Sequence, residues 1–325
     1  MIKAGIVGGA GYTAGELIRL ILNHKEIELD FVYSTSNAGN RIENIHRDLF
    51  GNISMSFTQK INPEVEVLFL CLGHGNSTSF LKNHEFSDKT RVIDLSNDFR
   101  LKEDSKFQHR EFVYGLTEMN RAEIERAESV ANPGCFATAI QLALLPLAKS
   151  GLLNQDIHVN AVTGATGAGV SLSKTTHFTW RDNNFSHYKA FDHQHLGEIN
   201  QSIRKLQPDC KSEVVFLPNR GNFSRGIFAT AYTDFEGELE EAIDLYANYY
   251  SESPFTHVSD QDIFLKQVVN TNKCLLHLKK DGNRLLITSI IDNLLKGASG
   301  QAIENMNLMF GFKQEEGLLT KANYF

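Results

Sequence analysis

The sequence predicts an α/β protein with a Rossmann-type parallel-sheet domain and a second α+β domain with a mixed or antiparallel sheet. Strand and helix patterns alternate along the first part of the chain, as they do in parallel α/β sheets. In the later part, several strand patterns follow one another with few helices between them. That change of pattern predicts a second sheet of different topology.

The first domain is predicted from short apolar segments. Residues 4–7 and 27–34 are strand patterns, and residues 16–23 between them place leucine and isoleucine at helical spacing. Residues 66–72 form a continuous apolar run, which is typical of a buried parallel strand, and residues 91–95 form another.

The second domain is predicted to begin with a helix that follows Cys135 and that Pro146 kinks or ends. Strand patterns occupy 156–163, 213–217 and 226–233, and residues 238–250 have a helical pattern. Strands at 274–279 and 284–291 flank Lys280-Asp281-Gly282-Asn283, which predicts a hairpin. A last helix is expected at 297–310.

Composition excludes several classes of protein. The 325 residues are enough for two domains, and the net charge of −7 gives no electrostatic reason to expect nucleic acid or an anionic membrane as partner. No apolar stretch has the length of a membrane span, and the chain starts with a strand pattern rather than a signal peptide. The four cysteines are far apart, which disfavours structural zinc and disulfides and indicates a reducing cytoplasm.

A glycine-rich turn follows the first strand. In Gly8-Gly9-Ala10-Gly11-Tyr12-Thr13-Ala14, the residues Gly9, Gly11 and Ala14 satisfy the dinucleotide-binding pattern G-x-G-x-x-A between a strand and a helix. The alternative is an ordinary tight turn, but the position at the start of an α/β chain favours a nucleotide. We therefore expect Gly8, Gly11, Tyr12 and Thr13 to bind a cofactor.

The end of the second strand indicates which dinucleotide binds. An NAD site usually carries an acidic residue there, whereas Asp30 lies inside this strand. Ser34 and Ser36 stand at its end, and Arg41 follows. Hydroxyl groups and an arginine suit a 2′-phosphate, so NADP(H) is favoured over NAD and these three residues are expected to bind it; the alternative is a polar loop.

Cys135 is the predicted reactive residue. Asn132 is expected to cap a helix whose first residue is Pro133, which places Cys135 in the first turn. The helix dipole there favours the nucleophilic thiolate. An inert buried cysteine is the alternative, but Gly134 favours reactivity because it leaves room for a substrate beside the sulfur.

Two histidines and a carboxylate lie close together in His193-Gln194-His195-Leu196-Gly197-Glu198. If this segment is extended, His193 and His195 project to the same face. They lack a third metal ligand, so no metal is expected, whereas one imidazole suffices for general acid/base chemistry beside a thiolate. Ordinary surface histidines are the alternative.

Further anion ligands are expected at a second glycine-rich loop, residues 163–169, and at two arginines. The loop amides could bind an anion, and Gly164 is expected in the cofactor site; a flexible turn is the alternative. Arg100 and Arg225 are expected to bind phosphate or carboxylate, although a solvated surface charge is the usual role of a lone arginine.

Taken together, these motifs resemble the N-acetyl-γ-glutamyl-phosphate reductase family of arginine biosynthesis, within the aspartate-semialdehyde dehydrogenase superfamily. The resemblance runs from end to end. It rests on Gly11-Tyr12-Thr13 with Glu16-Leu17, Leu72-Gly73-His74-Gly75, Ile93-Asp94-Leu95-Ser96 with Asp98-Phe99-Arg100, Tyr114-Gly115-Leu116, Asn132-Pro133-Gly134-Cys135, His193-x-His195-x-x-Glu198-Ile199, Asp292-Asn293-Leu294, Lys296-Gly297-Ala298 and Gly300-Gln301-Ala302.

The resemblance implies that NADPH reduces N-acetyl-γ-glutamyl phosphate to the semialdehyde and phosphate through a thioester on Cys135. His193 is then the general acid/base, and Glu198 and Asn132 are assigned to the substrate side. The resemblance also assigns residues to the cofactor: His74, Asn293, Lys296 and Gly297. Because the last helix would rejoin the first domain, the expected boundaries are 1–134 with 296–325 and 135–295, and a homo-oligomer, dimer or tetramer, is expected.

Some positions depart from the family pattern. Gln194 and Gly197 replace a usual Arg and Pro, Val170 follows the second glycine loop where Arg is usual, and Asn219 stands near the place of a His. These departures leave the acyl group open between acetyl and succinyl. The alternatives are an aspartate-semialdehyde dehydrogenase, a carrier-protein-linked aminoadipate semialdehyde reductase and a non-catalytic NADP sensor.

Overall fold

Two seven-stranded sheets organise the chain, each within its own unit. The computed structural model describes residues 1–325. The first unit comprises Met1–Pro133 and Ala298–Leu319, and the second comprises Gly134–Gly297 and Thr320–Phe325. The predicted domain boundaries differ from these by one residue near position 134 and by two residues near position 297. The prediction also assigns the last six residues to the first domain, whereas they belong to the second unit. There the amide of Asn323 donates to the carbonyl of Val269.

The sheet of the first unit has the strand order β2-β1-β3-β4-β7-β6-β5. Every pair is parallel except β5 with β6. The elements of this unit are β1 (Ile2–Val7), α1 (Tyr12–Ile21), β2 (Ile27–Tyr33), α2 (Ile42–Ile45), β3 (Val67–Leu70), α3 (Asn76–Asn83), β4 (Arg91–Asp94), β5 (Lys106–Phe107), β6 (Arg110–Tyr114), α4 (Thr117–Ile124) and β7 (Ser129–Ala131), with α9 (Gly300–Phe310) returning near the C-terminus.

Burial explains this arrangement. All four residues of β3 are buried, as the continuous apolar run predicts for a strand covered on both faces. Helix α9 packs against α1 and α4. Its polar residues are buried as well: Glu304 accepts a hydrogen bond from Thr117 (2.9 Å), and Asn305 donates to the carbonyl of Gly115 (2.9 Å). A buried polar side chain is tolerated when such bonds satisfy it.

The sheet of the second unit is mixed, with the order β12-β13-β14-β11-β8-β10-β9. Helix α5 packs on β8, β11, β13 and β14, and α7 packs on α5. The elements are α5 (Cys135–Lys149), β8 (Ile157–Thr163), α6 (Phe178–Arg181), β9 (Ser186–His187), α7 (His195–Leu206), β10 (Val214–Arg220), β11 (Ile227–Asp234), α8 (Leu239–Tyr249), β12 (Thr256–Val258), β13 (Cys274–Asp281) and β14 (Arg284–Ile291). The predicted α/β class, with one parallel and one mixed sheet, is therefore confirmed.

The predicted hairpin between β13 and β14 is confirmed, and the strand register defines its turn. Asp281 pairs with Arg284, which leaves Gly282 and Asn283 as a two-residue turn. Gly282 has φ of +56°, a backbone conformation that turns of this length require and that glycine adopts without steric cost.

Pro146 does not end helix α5, which continues to Lys149. A proline inside a helix has no N–H for the carbonyl four residues earlier, which here belongs to Leu142. The hydroxyl of Tyr250 donates to that carbonyl instead, at 2.5 Å, and the hydroxyl of Tyr246 donates to the neighbouring carbonyl of Ala143. Because Tyr250 replaces the lost donor, the helix tolerates Pro146 in its last turn.

The last helix also differs from prediction at its start. Residues Leu295–Ser299 form a π-helical turn, and the regular helix begins only at Gly300. The amide of Gly297 donates to the carbonyl of Asp292, five residues earlier, at 3.0 Å. Such turns are rare and frequently occur at functional sites.

None of the helices combines the length and the apolar composition needed to cross a membrane.

Candidate active site

Cys135 is the first residue of α5, so the prediction that it lies in the first helical turn is correct. The predicted cap is wrong, because the N-cap residue is Gly134 and no side chain caps the helix. Asn132 instead lies buried in the first unit, where its amide donates to the carbonyl of Ala298 (3.0 Å) and its oxygen accepts from Asn305 (3.1 Å).

Two glycines flank Cys135 for steric reasons. A Cβ at Gly134 would lie 2.3 Å from Nε2 of His195, so this glycine makes room for an imidazole rather than for a substrate. A Cβ at Gly297 would lie 2.8 Å from Cβ of Cys135. Both distances are far below ordinary van der Waals contact. A residue with a side chain at position 134 or 297 would therefore displace its neighbours around Cys135.

His193 is enclosed by aromatic rings and by the second histidine. Its ring centroid lies 5.5 Å from those of Phe136 and Phe216, 5.7 Å from that of Tyr188 and 4.6 Å from that of His195. The condition that this segment is extended is not met, because His195 is the first residue of α7. Ile199 and Ile203 are buried on the apolar face of α7, and the burial of this face fixes the orientation of the helix.

Hydrogen bonding and burial together fix the charge state of His193. The amide N–H of His195 donates to Nδ1 of His193 (3.2 Å), so the neutral ring carries its proton on Nε2. Burial, reinforced by the nearby charge of Lys189, lowers the pKa of His193 to about 4. His193 is therefore neutral near pH 7 and offers an N–H donor at Nε2.

Glu198 lies on α7 and is bonded to the start of α5. Its Oε2 accepts the amide N–H of Gly134 at 2.9 Å, and its Oε1 lies 4.0 Å from Nε2 of His195. A carboxylate at a helix N-terminus is stabilised by the helix dipole. The contacts that this structure gives Glu198 therefore hold the turn that carries Cys135.

Arg225 and Asn293 lie in the same unit and already have partners. Nε and Nη2 of Arg225 donate to the two carboxylate oxygens of the buried Asp292, at 3.0 and 3.2 Å. Asn293 accepts the amide of Gly226 (2.6 Å) and donates to Oγ1 of Thr166 (3.0 Å). Both side chains thus brace the loops around Asp292.

The second glycine loop is braced by backbone bonds. The amide of Gly164 donates to the carbonyl of Gly226 (2.9 Å), and those of Ala165 and Thr166 donate to the carbonyls of Phe223 and Ser224. These three amides already have backbone acceptors, so the expectation that the loop binds an anion fails for them.

Lys296 is fully buried in the π-helical turn, with its ammonium 5.8 Å from the centroid of the Phe255 ring. A buried ammonium over an aromatic face gains a cation–π interaction.

In the first unit, Arg100 is also held by backbone atoms. Its Nε donates to the carbonyl of Asn132 (2.8 Å), and Nη2 donates to the carbonyl of Leu95 (3.0 Å). The buried Asp94 accepts hydrogen bonds from Ser77 (2.6 Å) and Ser96 (2.7 Å) at the end of β4. Burial raises the pKa of Asp94 to about 6 despite these bonds.

The glycine-rich turn has the geometry of a phosphate cradle. Gly8 has φ of +83°, and a Cβ there would lie 2.4 Å from the carbonyl oxygen of Cys71, so only glycine fits. Gly11 is the N-cap of α1, and a Cβ added there would meet only the carbonyl oxygen of Gly8, at 3.8 Å. The first-turn amides at Tyr12 and Thr13 have no acceptors within the helix, which makes this end suited to a phosphate.

The predicted ligands of a 2′-phosphate lie around the end of β2. Ser34 is buried, whereas Ser36 and Arg41 are exposed, and Arg41 pairs with Glu43 at 2.8 Å. Asp30 is engaged inside the strand by Asn62 (3.0 Å), away from the place of a ribose ligand. His74 accepts the amide of Asn97 at Nδ1 (3.1 Å) and lies in an exposed loop.

The sequence did not indicate three further residues: Tyr188, which contacts His193, Arg220, which contacts Tyr188, and Arg181, which bonds the backbone of Arg220. Burial raises the pKa of Tyr188 to about 12, and the Cys135 thiolate adds to this increase. The guanidinium carbon of Arg220 lies 4.8 Å from the centroid of the Tyr188 ring. Arg220 immediately follows the departure from the family pattern at Asn219, which was the one signal that could have drawn attention to it.

Two family models match the chain and divide it as the two units do. The semialdehyde dehydrogenase NAD-binding domain matches residues 3–127, and the semialdehyde dehydrogenase dimerisation domain matches residues 135–293. Among solved structures, aspartate semialdehyde dehydrogenase II of Vibrio cholerae has a TM-score of 0.71 at 16% identity, over 96% of this chain and 99% of that one. The Candida albicans enzyme with NADP has a TM-score of 0.71 at 13% identity, over 95% and 99%. These similarities show the fold.

Curated relatives are much closer in sequence. Proteins named N-acetyl-gamma-glutamyl-phosphate reductase are 64% identical in Christiangramia forsetii and 61% identical in Flavobacterium johnsoniae, over the full length of both chains. The protein of that name from Bacteroides thetaiotaomicron is 55% identical, again over the full length of both. The chain therefore belongs to the N-acetyl-γ-glutamyl-phosphate reductase family, within the semialdehyde dehydrogenase fold.

Proposed function

We propose that this chain reduces an N-acyl-γ-glutamyl phosphate to the corresponding semialdehyde and phosphate, with NADPH as the reductant, in arginine biosynthesis. The names of its full-length relatives support the reaction. The observation that carries the proposal is the second unit's arrangement of Cys135 at the start of α5, with Glu198 on the neighbouring α7 and His193 just before that helix begins.

The turn after β1 suits a dinucleotide. Gly8 gives it the required backbone conformation, and Gly11 with the first turn of α1 presents amides to a pyrophosphate. Ser34, Ser36 and Arg41 are proposed to bind the 2′-phosphate, because no carboxylate occupies the end of β2. When bound, the dinucleotide supplies the hydride that reduces the thioester.

Cys135 is proposed to act as the nucleophile. Its thiolate attacks the acyl carbon of the acyl phosphate, the C–S bond forms, and the C–O bond to phosphate breaks, leaving a thioester. The position at the start of α5 favours the thiolate through the helix dipole. First-turn amides of the same helix are directed to the end where the oxyanion develops.

His193 is proposed to act in its neutral form, as a hydrogen-bond donor to the oxyanion. With Nδ1 accepting the amide of His195, Nε2–H is a donor for the oxygen that gains charge during attack and reduction. Reduction leaves the thiohemiacetal as an oxyanion that accepts the Nε2–H bond. Its C=O double bond re-forms as the C–S bond breaks, which releases the aldehyde and the Cys135 thiolate without a proton having to be removed. Glu198, bonded to Gly134, holds the turn in place during these steps.

The match to a dimerisation domain supports a homo-oligomer, which we propose to be a dimer or a tetramer. All four cysteines are free thiols, which supports a cytoplasmic location.

The decisive assay is the reverse reaction, in which an N-acylglutamate semialdehyde is oxidised in the presence of phosphate and NADP. Wild type is expected to turn over N-acetyl- or N-succinylglutamate semialdehyde and to discriminate against aspartate semialdehyde. Cys135→Ser should bind NADPH normally and lose nearly all turnover. Preference for aspartate semialdehyde, or retained turnover in Cys135→Ser, would overturn the proposal.

A further inference from the structure

Two arginines of the second unit, Arg181 and Arg220, are shielded from solvent but have no acidic partner. Neither Arg181 nor Arg220 forms an ion pair, and Nε of each is buried without a hydrogen bond. Burial lowers the pKa of Arg181, and the positive charge of Arg220 adds to this decrease. A buried or half-buried cation normally has a counter-charge, because desolvation is otherwise uncompensated.

Arg181 is held in place by the protein itself. Its Nη1 donates to the backbone carbonyl of Arg220 (2.7 Å), and its Nη2 donates to Oγ of Ser186 (3.2 Å). Ser186 pairs with Arg220 between strands β9 and β10. Arg181 therefore fixes the strand corner from which the Arg220 side chain extends.

Arg220 is connected to His193 through Tyr188. Its guanidinium lies over the ring of Tyr188, and Tyr188 in turn contacts the ring of His193. The amide of Tyr188 donates to the carbonyl of Pro218 at 3.0 Å, which holds the tyrosine against β10. Two successive ring contacts thus connect Arg220 with the histidine beside Cys135.

The arginines expected to bind the substrate are less available. Arg225 donates to both oxygens of Asp292, and Arg100 donates to two backbone carbonyls. Arg220 differs because its guanidinium bonds neither a carboxylate nor a backbone carbonyl, and its side-chain hydrogen bond goes to Tyr188. Guanidinium geometry matches carboxylate and phosphate groups.

We propose that Arg220, positioned by Arg181 and Tyr188, binds an oxyanion of the acyl-phosphate substrate. Carboxylate and phosphoryl groups share the chemistry that a guanidinium recognises, and the substrate carries both. This inference rests on the proposed function for the identity of its ligand. Arg220 is then a substrate-binding residue, and Arg181 is a positioning residue.

The test compares Arg220→Gln with wild type in the phosphate-dependent oxidation of the semialdehyde. The control is Arg204→Gln, which removes the same charge from an exposed position on α7. Loss of a charge-assisted bond should raise one KM by roughly 10- to 100-fold and change kcat by less than about threefold. Arg204→Gln should leave both constants unchanged.

The substrate that responds identifies the anion. A raised KM for phosphate alone assigns Arg220 to the phosphoryl group. A raised KM for both N-acetyl- and N-succinylglutamate semialdehyde assigns it to the glutamyl carboxylate, and an effect on the succinyl compound alone assigns it to the acyl carboxylate. If no KM differs from wild type, the proposal is wrong.

A second measurement does not depend on turnover. Phosphate, N-acetylglutamate and N-succinylglutamate are tested for protection of the Cys135 thiol against iodoacetamide. At least one should protect wild type at concentrations that fail to protect Arg220→Gln, and equal protection would overturn the proposal. Arg220→Lys keeps the charge but loses the planar fork, so it should fall between the two. If wild type is protected but has no turnover, the proposed function fails while the anion site stands.

Discussion

Substituting Gly297 by alanine tests the geometry around Cys135. The added Cβ would lie 2.8 Å from Cβ of Cys135, 3.2 Å from its Cα and 3.3 Å from the carbonyl oxygen of Asp292. Carbon atoms prefer separations of about 3.5–4.0 Å, so the cysteine or the π-helical turn must move by roughly 0.7 Å or more. Displacements near 1 Å at a reacting centre cost about 100-fold in rate. We expect Gly297→Ala to lower kcat by roughly 10- to 100-fold.

The assay is steady-state oxidation of the semialdehyde, with NADPH affinity measured separately by fluorescence. Gly151→Ala is the control at the opposite end of α5, where the added Cβ meets nothing within 4 Å but the backbone has φ of +69°. It imposes backbone strain of about 1–2 kcal/mol without touching the site. Gly151→Ala should lower the melting temperature and keep kcat. Full activity in Gly297→Ala would refute the reasoning.

Three further changes probe separate parts of the structure. In wild type, the depressed pKa of His193 means that the unfolded chain binds more protons between pH 6.5 and 4. Wild type should therefore lose about 1–2 kcal/mol more stability than His193→Asn between pH 8 and pH 5, as urea titrations measure; equal losses contradict a neutral His193. Tyr250→Phe leaves the buried carbonyl of Leu142 without its donor, so the free energy of unfolding should fall by about 1–2 kcal/mol at unchanged kcat. Arg41→Ala should raise the KM for NADP roughly tenfold and leave that for NAD unaltered, because only NADP carries the 2′-phosphate; a parallel change in both would contradict that role.

The parts of the fold that follow from local pattern were predictable. The buried run at β3, the glycine turn before α1 and the hairpin at Gly282 can each be recognised from a short stretch of sequence. Pro146 shows where such reasoning fails, because the donor that rescues its helix is Tyr250, more than a hundred residues away in sequence. A propensity rule cannot include a partner that only tertiary packing supplies.

The candidate site also contains features that the sequence predicts and features that depend on the folded structure. Cys135 at a helix start and the pairing of His193 with His195 could be expected from their spacing. Asn132 was expected as a cap, but the cap position belongs to Gly134, where the ring of His195 excludes any side chain. Whether an arginine has a counter-charge is likewise a property of the folded chain. Arg225 pairs with Asp292, which is distant in sequence, whereas Arg220 pairs with no carboxylate.

The central claim is that a thioester forms on Cys135, and single-turnover oxidation without phosphate tests it most directly. Enzyme mixed with NADP and the semialdehyde should release about one equivalent of NADPH per chain and then stop, because no phosphate removes the acyl group. Mass spectrometry should find the acyl group on the peptide that contains Cys135, and adding phosphate should remove it. No burst, or an adduct on Cys71, Cys210 or Cys274 instead, would contradict the account.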